Sequence, residues 1–203
     1  MLGYVVVQRY LKDVHLVPAR DGHKLNLRLY VAIVCDPSCG RRRAYLHHRA
    51  GKCMYTARPY DRSSVDFEQQ ITSVELRPEV YRSLPLTLEE LRLHWQTRGI
   101  RYDDVWRRIV AQMALVARAV LPHVCILRHC QHSVRFQLFG ADVILDRDLH
   151  PYVLELNKGP NMKPVNARDR RLKQTVLEDT FALAGVTEPP SSRGTGYQLL
   201  AAA

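Results

Sequence analysis

A chain of 203 residues is long enough to bury a real core, and its length falls between one large domain and two small ones. With 46% hydrophobic and 25% charged residues it reads as a folded globular body, which excludes the disordered and fibrous classes. Thirty Lys and Arg against twenty Asp and Glu leave a formal charge of +10, which favours polyanionic partners without choosing among nucleic acid, anionic membrane and acidic polypeptide.

Met1–Val7 is apolar but has neither a basic flank nor a small-residue cleavage site, so it reads as the start of a strand over Tyr4–Tyr10, not a signal peptide. An Asp21-Gly22 turn leads into a second strand, Leu25–Val34. Arg43–His48 and Lys52–Ala57 around Gly51 predict a hairpin, and Arg58–Ser83 a long loop region. Five cysteines, an odd number, favour a reducing compartment. Cys35, Cys39 and Cys53, with His47 and His48 nearby, match no paired-cysteine zinc spacing.

From Leu86 the pattern turns helical. Thr87 caps Glu89–Arg98, with Glu90 completing a capping box and Gly99 closing the helix. A second helix runs from Asp103 or Asp104 to Ala119, with Val105, Ile109, Met113 and Val116 on one stripe and Pro122 beyond its end. The longest apolar stretch, Met113–Val120, is interrupted by Arg118 and is far short of the ~20 residues that span a bilayer. Val134–Leu145 and Tyr152–Leu156 bracket a polar turn and predict an antiparallel hairpin. Asp169–Gly185 is helical, and the Pro/Ser/Gly-rich segment 187–203 is expected to be disordered.

The last hairpin carries the chemistry. A turn centred near Asp148 and Leu149 places Asp142 opposite Glu155, and strand alternation puts Asn157 on the face of Glu155. Facing carboxylates among apolar neighbours repel unless a cation lies between them, and oxygen-only ligands suit magnesium completed by substrate phosphates. Taken alone, the same acids also describe the solvent side of an ordinary hairpin.

Phe136-Gln-Leu-Phe-Gly-Ala-Asp142-Val-Ile-Leu-Asp146 and Pro151-Tyr-Val-Leu-Glu155-Leu-Asn157-Lys-Gly-Pro160 resemble the signature of the tubulin-tyrosine ligase-like family of the ATP-grasp superfamily. Val7-Gln-Arg-Tyr-Leu11 and Lys24-Leu-Asn-Leu-Arg28-Leu-Tyr-Val31 resemble two other blocks of that family, in its order. The resemblance runs over most of Val5–Val186 and implies an α+β fold, the C-terminal portion of an ATP-grasp domain over residues 1–186: a mainly antiparallel sheet with flanking helices. It implies ATP and magnesium as cofactors. Asp142, Glu155 and Asn157 would hold the metal, and Gln8, Arg9, Tyr10 and Leu11 would line the adenine pocket. Lys24, Asn26 and Thr72 would meet the nucleotide, and Arg28 would stabilise phosphate or acyl-phosphate charge.

The implied reaction joins glutamate, glycine or tyrosine to a protein carboxylate, with tubulin or another acidic protein tail as partner. The implied location is the cytoplasm, at the cytoskeleton or a flagellum or cilium. Nucleic acid stays open as a partner on charge alone but is not favoured, since no stacked-aromatic ribbon or zinc-finger spacing accompanies the basic residues. No membrane partner is expected.

The sequence also departs from the family. It opens at the hinge block, so the lysine-bearing segments that precede it are absent, and the 203 residues by themselves are expected not to turn over ATP. Asn26 stands in the place of an aspartate, and Met54 where an amino-acid-binding arginine is expected. Ile71-Thr-Ser-Val-Glu75 reduces a Leu-Thr-Asn-Tyr-Ser stretch, and Gln137 replaces a common glutamate. A preserved metal hairpin with an altered amino-acid pocket also describes a catalytically dead relative kept as a binding module.

Overall fold

The computed structural model describes residues 8–17, 22–36, 40–72, 78–124, 135–189 and 194–203. In chain order the elements are β1 (Leu16–Val17), β2 (His23–Asp36), β3 (Arg41–Tyr55), α1 (Phe67–Gln70), α2 (Leu88–Gln96), α3 (Tyr102–Val120), β4 (Arg135–Leu145), β5 (Pro151–Lys158), α4 (Ala167–Leu183) and β6 (Tyr197–Ala202). The described strand pairings are antiparallel, in the order β5-β4-β2-β3-β6 with β1 added to β2. This α+β architecture is consistent with part of an ATP-grasp fold. No described helix is long and apolar enough to cross a membrane.

The central strand β2 sorts its side chains by alternation. Leu25, Leu27, Leu29, Val31 and Ile33 enter the main core, each burial stabilising by about 1.5–3 kcal/mol. Lys24, Asn26, Arg28 and Tyr30 point to the other face. The core face is covered by α2, through Leu88, Leu91 and Trp95, and by α3, through Val105, Ile109, Met113 and Ala117. The predicted stripe holds on α3 except at its end, where Val116 is half-buried and Ala117 takes the core position. Thr87 Oγ1 accepts from the Glu90 N–H at 3.2 Å, while the Glu90 carboxylate accepts from the Leu86 N–H at 2.6 Å, one residue before the cap. On the opposite face Tyr30 and Ala50 pack against Leu172 and Val176 of α4.

Several expectations are corrected. The hairpin placed around Gly51 is one strand, β3, with a three-residue bulge: Leu29 pairs with Gly51 but Val31 with Leu46. Gly51 sits where Leu88 closes on it, since a Cβ there would meet Leu88 Cδ1 at 2.7 Å. His47 braces the bulge, its Nδ1 accepting from the Ala50 N–H at 2.8 Å and its Nε2 lying 2.9 Å from Asp179 Oδ2. That engagement takes His47 out of any zinc set.

The tail expected to be disordered contains β6, whose residues 197–202 pair with β3, because an open sheet edge accepts any extended backbone. The strand expected over Tyr4–Tyr10 lies partly outside the described residues, and Gln8–Tyr10 carry no strand. Cys35 is disulfide-bonded, against the expectation of reduced thiols, while Cys53 is free and buried.

Candidate active site

Asp142 and Glu155 are register partners, as the symmetry of the turn predicts, but the route is different. The turn is tighter than expected, with Leu145 opposite Pro151 and Val143 opposite Val153. A bulge at Leu154 then inserts one residue into β5 and restores Glu155 to its place across from Asp142. Beyond it Asn157 faces Gly140, and its Nδ2 donates to Glu155 Oε1 at 2.7 Å. The amide oxygen of Asn157 is thereby left to act as a ligand.

On the neighbouring strand Arg28 is the register partner of Asp142 and clamps it, Nε to Oδ1 at 2.5 Å and Nη2 to Oδ2 at 2.9 Å. Burial pushes the Asp142 carboxyl above its ordinary range, against the pull of Arg28, and Glu155 adds to the rise. The hydrogen bond to Asp142 holds the Arg28 guanidinium above its own. Gly140 permits the close approach of β2 here: a Cβ would meet Arg28 Cδ at 2.9 Å and Pro160 Cβ at 3.0 Å.

Lys24 lies one face-step along β2 from Asn26. Its ammonium donates to Tyr10 Oη and to the Gln70 carbonyl, each at 2.9 Å, and stands 4.7 Å from the Tyr10 ring centroid. Both acceptors are neutral, so the cation keeps its charge toward the cleft. Tyr10 Oη donates to Gln70 Oε1 at 2.7 Å, and a bridge between Thr56 and Thr72 holds the end of that segment against β3.

A cleft of about 1170 Å³ opens between these groups. It is lined by Gln8, Arg9, Tyr10 and Leu11, by Lys24, Asn26 and Thr72, and by Asp142 and Glu155. Arg28 and Asn157 are bonded to the last two. Sequence reasoning missed Ile144, Tyr152 and Leu154, which supply apolar wall, and Arg62 and Gln70, which come from the loop region. Ile144 was legible, since it shares a strand face with Asp142; the others depend on the bulge and on the loop path.

The residues present fit a hard cation and a polar ligand. Asp142, Glu155 and Asn157 form an all-oxygen set on one patch. Asn26 Oδ1 is buried, has no hydrogen-bond partner among the described residues, and belongs to a residue lining the cleft, so it asks for a donor from a ligand. Two of the departures noted in the sequence are cross-strand partners: Asn26 pairs with Met54, which is 2% exposed. An amide against a thioether leaves no orphaned charge there. A separate group, Asp146, Asp148 and His150, comes together at the turn, where Asp146 Oδ1 accepts from the backbone of the other two. Those bonds account for it as turn structure.

A model of the "Tubulin-tyrosine ligase family" matches residues 2–195. The chain is 24% identical over 197 residues to tubulin polyglutamylase TTLL6 of Mus musculus, covering 88% of this chain and 23% of that protein. It is 26% identical over 190 residues to the probable tubulin polyglutamylase TTLL9 of Rattus norvegicus, covering 87% and 37%. It is also 26% identical over 205 residues to tubulin monoglutamylase TTLL4 of Homo sapiens, covering 91% and 16%. The chain therefore spans well under half the length of these relatives.

Proposed function

The chain belongs to the tubulin-tyrosine ligase family, and from that membership we propose that it forms the magnesium and phosphate wall of an ATP-dependent ligase joining an amino acid to a protein carboxylate. The acceptor is a tubulin tail or a similarly acidic protein tail, and glutamate is the favoured amino acid because the relatives are named glutamylases. The observation that carries the reading is that Lys24, Asp142 and Glu155 line one cleft, with Arg28 and Asn157 bonded to the two carboxylates on the same sheet face. A cytoplasmic, cytoskeletal location follows from the acceptor.

In the reaction an acceptor carboxylate oxygen attacks the γ-phosphorus of ATP and ADP departs, giving an acyl phosphate. The amine of the incoming amino acid then attacks the acyl carbon, phosphate leaves, and the amine gives up a proton. Such chemistry needs positioning and charge neutralisation more than a nucleophilic side chain. Magnesium, held by Asp142, Glu155 and Asn157, would neutralise charge on the transferring phosphoryl group. Arg28 lies next to that set and offers its guanidinium to the same oxygens, while Lys24 and the Gln8–Leu11 segment hold the nucleotide's other end. Asn26 accepts from a hydroxyl or amine of the bound reactants.

The test supplies this chain with the N-terminal half of a polyglutamylase, magnesium, ATP, labelled glutamate, glycine or tyrosine, and a tubulin-tail peptide. Label on the peptide that vanishes with Glu155→Gln supports the reading; none in any combination overturns it. A second reading, a binding module without catalysis, draws on the neutral Asn26–Met54 pair. It is favoured if nucleotide binds with magnesium but no ADP forms.

A further inference from the structure

Lys52 is the β3 register partner of Arg28, and with it the site becomes a row. Glu155, Asp142, Arg28 and Lys52 lie opposite one another on β5, β4, β2 and β3, four neighbouring strands. With strands about 4.8 Å apart the row spans roughly 14 Å. Its charges read negative, negative, positive, positive, and the proposed reaction has so far used the first three.

Lys52 is 2% exposed, and among the described residues its ammonium has no partner besides Asp169. Its counterion is Asp169 Oδ1, 3.2 Å away in the first turn of α4. The other oxygen, Oδ2, is served by Lys173 Nζ at 3.0 Å and by the Val165 N–H at 2.9 Å, so Oδ1 is left to Lys52. Two buried lysines thus share one aspartate. A buried cation in excess of its partners is costly, and burial lowers the proton affinity of Lys52 accordingly. Such a charge is retained where a ligand's negative charge completes it.

We propose that Lys52 and Arg28 form a two-cation seat for one anionic oxygen group of a reactant, a carboxylate or a phosphoryl group, at the end of the row opposite the metal-binding carboxylates. The seat rests on the reading of this face as a ligase site. It lies on the β3 side of Arg28, away from the hairpin. A reacting group placed over Arg28 then has a metal on one side and a second protein cation on the other, the arrangement that spreads charge over transferring oxygens.

The experiment follows thermal unfolding of wild type, Lys52→Met and Lys52→Arg during titration with orthophosphate and, separately, L-glutamate, with Mg–ADP titrated in parallel. Wild type is expected to gain stability with at least one anion. A response to orthophosphate alone assigns the seat to a phosphoryl group, and a response to glutamate alone assigns it to the amino acid's carboxylate. Lys52→Met is expected to remain folded without ligand, to bind the anion at least tenfold more weakly, and to bind Mg–ADP within twofold of wild type. Lys52→Arg is expected to keep the anion response.

A wild type indifferent to both anions overturns the proposal, as does a Lys52→Met protein that responds like wild type. So does a Lys52→Met protein that is unfolded without ligand, because Lys52 is then the structural counterion of Asp169. Failure of wild type to bind Mg–ADP strikes the ligase reading and leaves the seat to be judged on the anion arms.

Discussion

Replacing Arg28 with Met removes both hydrogen bonds to Asp142, 2.5 and 2.9 Å long, and leaves that carboxylate facing Glu155 without its cation. The two side chains are 14% and 9% exposed, so the pair is nearly buried. Breaking a buried pair from one side costs about 3–5 kcal/mol; the residual solvent contact places this one near 3. In a chain of this size that is a fall in Tm of about 6–12 °C. Removing both charges with Arg28→Met and Asp142→Leu leaves no orphan, so the double variant should recover most of the loss, a coupling of about 2 kcal/mol. Urea unfolding followed by circular dichroism, with chelator and then with magnesium, reads the effect. Magnesium should stabilise Arg28→Met more than wild type, because the freed carboxylates accept it. A cost below about 1 kcal/mol, the value of an exposed ion pair, would refute the reasoning, as would additivity of the two substitutions.

Burial holds His47 neutral, with its pKa pushed down to about 4, and does the same to His15. The folded state then binds fewer protons than the unfolded chain, whose histidines titrate near 6.5. Stability should be full above about pH 6.5 and fall toward pH 4, each histidine contributing about 3 kcal/mol; unfolding free energy that stays flat over that window would contradict this. Gly140→Ala forces a methyl against Arg28 Cδ and Pro160, and should cost about 1–3 kcal/mol in calorimetry while weakening magnesium-dependent nucleotide binding. Thr87→Ala removes the cap of α2 and should cost about 1 kcal/mol, measured by urea unfolding.

What the sequence made legible was local. The alternation of Lys24, Asn26 and Arg28 against Leu25, Leu27 and Leu29 fixes two faces without knowledge of a neighbour, and the helical stripe of Val105, Ile109 and Met113 does the same for α3. The partnership of Asp142 and Glu155 was reached because two departures cancel, a turn tighter than expected and the one-residue bulge at Leu154. Lys52 could not be reached, since its place opposite Arg28 depends on a pairing that crosses a three-residue bulge. The Leu154 bulge leaves no mark in composition, and β6 joins the sheet through backbone that its flanking Pro, Ser and Gly residues disguise. The orphaned Asn26 Oδ1 is visible only once Met54 is known to stand across from it.

The central claim is that the β4–β5 hairpin holds magnesium for a nucleotide in the adjoining cleft. Isothermal titration of the chain with a non-hydrolysable ATP analogue addresses it directly. Binding heat should appear with magnesium, vanish with chelator, and be lost in Glu155→Gln. No heat with the wild type, or the same heat after the substitution, would mean that Asp142, Glu155 and Asn157 serve only the structure of the hairpin.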